Sequence, residues 1–341
     1  MSLYKFIGVF LLIFSLSAQE NILVTGGAGY IGSHTAKALY EAGYHPIVLD
    51  NLKTGYLPHV RWGTFVKGDV QDAKLLQELF AKYHPKAVIH FAASTQVGES
   101  VLDPAEYYEN NTLATFTLIN TMRKEKMKNL IFSSTCAVYG TPKQVPIDES
   151  HPRAPESPYA HSKAMSEQMI EDFQKAYSLN YVIFRYFNAA GADYQDNLGD
   201  TKTPPSHLIP IVLHAAETQK EMAIFGDDYP TIDGTGVRDY ISVQDLAIAH
   251  VKAVDYLLRK NKSRTFNLGT GSGYSVKEII ETAQKCTQIS IPYRMAPRRP
   301  GDIASAIADS SLAAKHLNWC PRNSELFSLI DAEWQWSKTF N

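Results

Sequence analysis

From residue 21 onward, short apolar runs alternate with longer amphipathic stretches. Ile22-Leu23-Val24 opens the series. Pro46-Ile-Val-Leu-Asp50, Thr64-Phe-Val66, Ala87-Val-Ile-His-Phe91, Leu130-Ile-Phe-Ser133 and Tyr181-Val-Ile-Phe-Arg185 continue it. Apolar runs of this length predict strands buried on both faces. The amphipathic stretches at 72–83, 104–125 and 157–178 predict helices. Strands alternating with helices imply right-handed β-α-β crossovers and a doubly wound parallel sheet. After about Asn188 the pattern loosens at Pro204-Pro205, Asp227-Asp228 and Asp233-Gly-Thr-Gly236. The expectation is an α/β chain with one unit over 21–188 and a second, smaller α/β unit mainly over 189–341. Thr265-Phe-Asn-Leu268 is expected to return to the first sheet, with a site in the cleft between the units.

The first strand runs directly into Thr25-Gly-Gly-Ala-Gly-Tyr-Ile-Gly32. Glycines at 26, 29 and 32 suit a tight turn and let the backbone approach a pyrophosphate at a helix N-terminus. A lone glycine motif is weak evidence, but here strand, turn and helix fall in the order of a Rossmann-type dinucleotide site. Asp50 ends the second strand, where a carboxylate can bind both ribose hydroxyls of an adenosine and repel a 2′-phosphate. NAD is therefore the expected cofactor.

Ser157-Pro158-Tyr159 followed by Lys163 carries the chemistry. Ser157 suits a helix N-cap and Pro158 the first helical position, which places Tyr159 and Lys163 on one face. The helix dipole and the Lys163 ammonium are expected to lower the Tyr159 pKa toward working pH, making it a proton acceptor and donor for an alcohol. Alone, such a Tyr–Lys pair is common on surface helices; after a dinucleotide turn it reads as catalytic. Thr135, at the end of the run through Ser133-Ser-Thr135, stands where ligands meet parallel strands.

Composition narrows the field. The chain has 341 residues, enough for two units, with 45% apolar and 20% charged residues, as in ordinary globular enzymes. A net charge of −2 offers no field for nucleic acid. Cys136, Cys286 and Cys320 are few, odd in number and far apart, which argues against a disulfide framework and for a reducing compartment. The 11 histidines show no metal-ligand spacing, so no metal is expected.

With these residues in place the chain resembles UDP-galactose (UDP-glucose) 4-epimerases of the extended short-chain dehydrogenase/reductase type, from about Asn21 to Trp336. The resemblance rests on TGGAGYIGSH (25–34), LDNL (49–52), GD (68–69), HFAA (90–93), VGES (97–100), FSSTCAVYG (132–140) and SPYAHSK (157–163). RYFNAAGA (185–192), HLIP (207–210), IFGDDYPTIDGTGVRDYISVQDLA (224–247), NLGTG (267–271) and APRRPGD (296–302) complete it. It implies reversible epimerisation at C4 of a UDP-sugar through a transient 4-keto sugar and enzyme-bound NAD. Tyr159 would act on the 4-hydroxyl, Lys163 would touch the nicotinamide ribose, and Thr135 would bond the 4-oxygen. Gly26, Gly29, Tyr30, Ile31, Gly32, Asp50, Asn51, Asp69, Val70, Phe91, Ala92 and Asn110 would hold NAD. Asn188, His207, Leu208, Phe225, Arg238, Arg299 and Asp302 would hold the UDP-sugar, the arginines pairing with phosphate oxygens. Ala306 takes the place of a residue whose bulk governs N-acetylated sugars, and its small size implies room for UDP-GlcNAc and UDP-GalNAc. Thr95 stands where some members carry a lysine.

The family also implies a homodimer. The nearest rival is a 4,6-dehydratase, whose acid and base follow the hydroxyl residue as Asp-Glu; Cys136 and Ala137 follow it here. A nucleotide-sensing protein without activity and a simple NAD(P) dehydrogenase are the other rivals. Residues 1–20 form an apolar extension resembling a signal peptide, too short for a confident transmembrane helix. The chemistry draws on cytosolic metabolites, so a cytoplasmic location without stable membrane association is expected, with export or tethering left open by that extension.

Overall fold

The computed structural model describes residues 19–299 and 301–340. The leader-like segment therefore lies almost wholly outside the described residues.

The first half builds β1 (Asn21–Thr25), α1 (Tyr30–Glu41), β2 (His45–Asp50), β3 (Thr64–Lys67), α2 (Ala73–Tyr83) and β4 (Ala87–His90). It continues through α3 (Val97–Leu102), α4 (Pro104–Tyr107), α5 (Ala114–Lys124), β5 (Asn129–Thr135), α6 (Pro158–Tyr177) and β6 (Asn180–Tyr186). Six of these strands and a seventh from Arg264–Leu268 form one sheet, every pairing parallel. Successive side chains of its strands enter opposite cores, as the pleat requires. Ile22, Val24, Ile89, Ile131, Val182 and Phe184 pack on one face against Leu39 and Leu246. Leu23, Val88, Leu130, Phe132 and Ile183 pack on the other against Leu76, Phe80 and Leu118. Both faces are covered, which is why these runs lack polar alternation.

The spatial order is β3-β2-β1-β4-β5-β6 and then the Arg264–Leu268 strand. The chain winds outward from β1 to β3, then crosses back to begin β4 on the other side. The crevice at the carboxyl ends of β1 and β4 is the switch point where such sheets receive ligands.

The single helix expected over 104–125 is broken. Between α4 and α5 the turns widen over Tyr108–Leu113, a local π geometry. Asn111 explains it: its carboxamide accepts from the Ser94 N–H (2.8 Å) and donates to the Ser94 carbonyl and the Ser162 hydroxyl (3.0 Å each). Such widened turns cluster at functional sites.

The second half adds β7 (Asn188–Ala190), α7 (Leu208–Thr218), β8 (Met222–Phe225), β9 (Val237–Arg238), β10 (Tyr240–Ser242), α8 (Val243–Lys260) and β11 (Arg264–Leu268). β12 (Tyr274–Ser275), α9 (Val276–Thr287), β13 (Tyr293–Ala296), β14 (Ser305–Ala306), α10 (Ser311–Leu317) and α11 (Leu326–Phe340) follow. α8 packs on the first core through Leu246, Ala249 and Val254, and β11 pairs with β6. A separate core joins Ile209, Val212 and Leu213 of α7 to Ile279 and Ile280 of α9 and to Leu329 and Ile330 of α11. Among the described residues, no helix is long and apolar enough to cross a membrane.

Candidate active site

The glycine turn wraps the carboxyl end of β1. Gly26 holds φ +72, and a Cβ there would stand 2.5 Å from the Ala92 nitrogen. A Cβ on Gly32 would stand 2.3 Å from the Gly26 carbonyl oxygen, so α1 starts directly on the turn. Gly29 caps α1 without a side-chain hydrogen bond, leaving its first N–H groups and positive dipole end facing the crevice. This is a cradle that side chains would fill, and it fits a pyrophosphate.

Asp50 is buried at the end of β2, where its carboxylate accepts from the N–H groups of Ala28 (3.0 Å) and Leu52 (2.8 Å). Burial pushes its carboxyl above the usual range, and the two N–H bonds oppose that shift. Asn51 donates to Asp69 (2.8 Å), tying together the loops after β2 and β3. Val70 is a core residue. Phe91 and Ala92 bond the Thr25 carbonyl through their nitrogens, while the Phe91 ring lies 4.7 Å from that of His250. The Phe91 side chain thus serves the core, and its backbone borders the crevice. The Tyr30 hydroxyl donates to the Gly191 carbonyl, and Ile31 packs on the first core. Both side chains are thus engaged within the protein. Asn110 donates to the Ser94 hydroxyl (2.8 Å) from the widened turn.

Across the switch point, α6 begins as its residues dictate: the Ser157 hydroxyl accepts from the Ala160 N–H (3.2 Å) and Pro158 takes the first position. Tyr159 and Lys163 are both buried, as is Thr135 at the end of β5. Lys163 Nζ donates to the Ser133 carbonyl (2.9 Å). The Thr135 hydroxyl faces the Tyr159 phenol and favours its ionised form.

The electrostatics differ from the expectation. Burial raises the Tyr159 pKa above that of an ordinary phenol, and the neighbouring Tyr186 adds to the shift. Burial also lowers Lys163 to about 7, against the field of Glu167. Desolvation is the largest cause for both groups, and the Lys163 nitrogen is engaged by a backbone carbonyl.

Sequence reasoning passed over two partners. Tyr186 ends β6 and shares a short hydrogen bond with the Ser133 hydroxyl. Glu167 lies one turn beyond Lys163, fully buried, bonded to the Ser134 hydroxyl and to Arg185 Nε (3.0 Å). The four-residue spacing 159–163–167 was the signal for Glu167. Tyr186 lay within the quoted RYFN run, but only strand pairing brings it to Ser133.

The predicted sugar-nucleotide residues fall into groups. Arg238 on β9 pairs in register with Ala306 on β14. Ala306 is buried with Val138, Tyr139, Ile147 and Phe187, and Cys136 packs against that cluster. Arg299 bonds Asp302 (2.8 Å) and lies over the Phe225 ring (4.7 Å from its centroid). Asn188 on β7 donates to the Asp239 carbonyl (3.1 Å). Leu208 opens α7; His207 just before it bonds Asp200 (2.9 Å) and is half exposed.

Burial pushes the Cys136 thiol up to about 12, and Ala137 has no ionisable group. The position after Thr135 therefore lacks the acid–base pair that removing water across C5–C6 requires.

Residues 23–328 match the family model described as GDP-mannose 4,6 dehydratase. A UDP-glucose 4-epimerase of Halalkalibacterium halodurans is 50% identical over 318 residues, which is 93% of this chain and 95% of that protein. The crystal structure of UDP-glucose 4-epimerase from Brucella ovis in complex with NAD superposes with a TM-score of 0.90 at 48% identity, covering 92% of this chain and 97% of that one. The UDP-Glc/GlcNAc 4-epimerase from Campylobacter jejuni gives a TM-score of 0.83 at 39% identity, covering 94% and 99%. On fold, crevice and relatives together, the chain belongs to the UDP-glucose 4-epimerases, NAD-dependent isomerases of the extended short-chain dehydrogenase/reductase family.

Proposed function

We propose that this chain interconverts UDP-glucose and UDP-galactose with Tyr159 as the proton acceptor and donor at the sugar 4-oxygen. The carrying observation is the convergence of Tyr159, Thr135 and Lys163 at the carboxyl end of β5, next to the crevice that begins at Gly26. The Thr135 hydroxyl orients the 4-oxygen against the phenol. Lys163, anchored on Ser133, holds the ribose edge of the cofactor and shapes the field around Tyr159. Gly26, Gly29 and Gly32 seat the pyrophosphate, and Asp50 the adenosine ribose. NAD held by these residues would accept a hydride from C4 and give it back. The 4-keto sugar must turn over before the return, so its diphosphate stays fixed by Arg238 and Arg299 while the sugar rotates.

Residues 189–341 form the sugar-nucleotide unit in this reading, with α8 and β11 returned to the cofactor layer. The test is incubation with UDP-galactose: UDP-glucose should appear without net NADH. NADH accumulation would indicate a dehydrogenase, and a 4-keto-6-deoxy product a dehydratase.

Ala306 sets the sugar range. Its methyl is small, and the cluster around it is apolar. The wild type is expected to turn over UDP-GlcNAc, and Ala306→Tyr to lose that activity at least about tenfold while keeping UDP-galactose, since the added ring would take the space that a 2-acetamido group needs and the smaller sugar does not. A wild type inert toward UDP-GlcNAc defeats this assignment.

A homodimer is supported by exposed apolar residues on α5, on α6 and on the widened turn before α5. Leu113, Phe116, Met165 and Tyr177 are exposed there, and Phe116 meets Phe173 edge-on at 6.3 Å. Light scattering is expected to give twice the 38.1 kDa chain mass, and Phe116→Glu to give monomers. A monomeric wild type would remove this assignment.

A further inference from the structure

β2 and β4 lie on either side of β1 in the sheet, and all three strands point the same way. The loop after β2 carries Lys53, and the segment after β4 leads through α3 into α4, which carries Glu106. A bond between these residues has to pass across the carboxyl end of β1, over the glycine turn. That bond is present: Lys53 Nζ stands 2.5 Å from Glu106 Oε1.

The two ends differ in character. Glu106 Oε1 also accepts from the Ser94 hydroxyl (3.1 Å), which in turn accepts from Asn110 (2.8 Å). Ser94 is held at its backbone by Asn111, which bonds Ser162 on the helix of Tyr159. Glu106 is thus anchored in the network that backs the catalytic helix. The Lys53 side chain is the more exposed partner, at 60% against 33% for Glu106, and it is the end free to move away. The Lys53 ammonium holds the Glu106 carboxyl below the usual carboxylate range.

We propose that Lys53 and Glu106 form a clasp over the dinucleotide crevice, which opens for NAD to leave and slows its release between turnovers. This rests on NAD occupying the crevice at Gly26–Gly32. The chemistry gives the clasp a purpose: a cofactor that is regenerated in every cycle gains nothing from exchange. A lysine alone would attract the pyrophosphate; paired with a carboxylate its charge is largely spent on the bridge between the two loops.

The test is NAD release from the purified holoenzyme after dilution, read as nucleotide in the filtrate. Lys53→Ala and Glu106→Gln should each speed release about two- to fivefold, the span available to an exposed ion pair. The double variant should exceed neither single change, and the swap Lys53→Glu with Glu106→Lys should restore slow release. High salt should bring the wild type toward the variants. Lys74→Ala, which breaks the exposed Lys74–Glu78 pair on α2, should change nothing.

If Lys53 acts only as a phosphate-attracting charge, Glu106→Gln will leave release unchanged or slow it, and the clasp is overturned. It is also overturned if the swap fails to restore retention in a protein that melts like the wild type. If the wild type holds no NAD at all, the cofactor crevice itself has been misassigned, which is a different failure.

Discussion

Tyr159→Phe is expected to lower kcat for UDP-galactose by about a hundred- to ten-thousandfold, the contribution of a positioned proton-transfer group. Bound NAD and melting temperature should stay close to the wild type. The substitution removes one oxygen and leaves the ring in its edge-on contact with Tyr107, 6.2 Å between centroids. None of the bonds that seat α6 runs through the phenol: Ser157 caps the helix and Lys163 bonds Ser133. The loss should therefore fall on kcat, with KM moving little. A variant that keeps a tenth of wild-type turnover would show that another group carries the proton. Thr135 cannot take that place, because its aliphatic hydroxyl is far too weak an acid.

Gly32→Ala is the second large effect, and it acts through the backbone. The added methyl would stand 2.3 Å from the Gly26 carbonyl oxygen and 2.8 Å from the Gly27 Cα. Both obstacles are main-chain atoms, so relief requires α1 to draw back from the turn. That movement takes the first-turn N–H groups away from the pyrophosphate. A cost of about 1–3 kcal/mol is expected in stability, with NAD affinity falling about ten- to hundredfold. Titration calorimetry on nucleotide-depleted protein would measure it. A Cβ at Gly98 on α3 would meet nothing within 4 Å, so Gly98→Ala should fold and bind NAD like the wild type and serves as the comparison. NAD affinity equal to wild type in Gly32→Ala would mean that the close approach of α1 is not needed for binding.

Much of the frame was legible in the chain itself. Ile22-Leu23-Val24 reads as a two-face-buried strand because every one of its side chains ends in a core. Ser157-Pro158 reads as a helix start because capping is settled within four residues. The glycine spacing reads as a cradle because a missing Cβ is a local property. The 104–125 stretch reads as one regular helix and is not one, because its widened turn answers to Ser94 and Ser162, which lie outside it.

What the amino-acid order determined by itself was the strands of the main sheet, the helix start at Ser157-Pro158, the turn at Gly26–Gly32 and the four-residue spacing of Tyr159 and Lys163. All of these follow from interactions between near neighbours. The tertiary structure alone decided that Ser133 meets Tyr186, that Lys53 reaches Glu106 across β1, and that Tyr159 is raised rather than lowered in pKa. Those outcomes depend on strand order and on burial by distant segments. Desolvation is a property of the whole fold, and no local spacing records it.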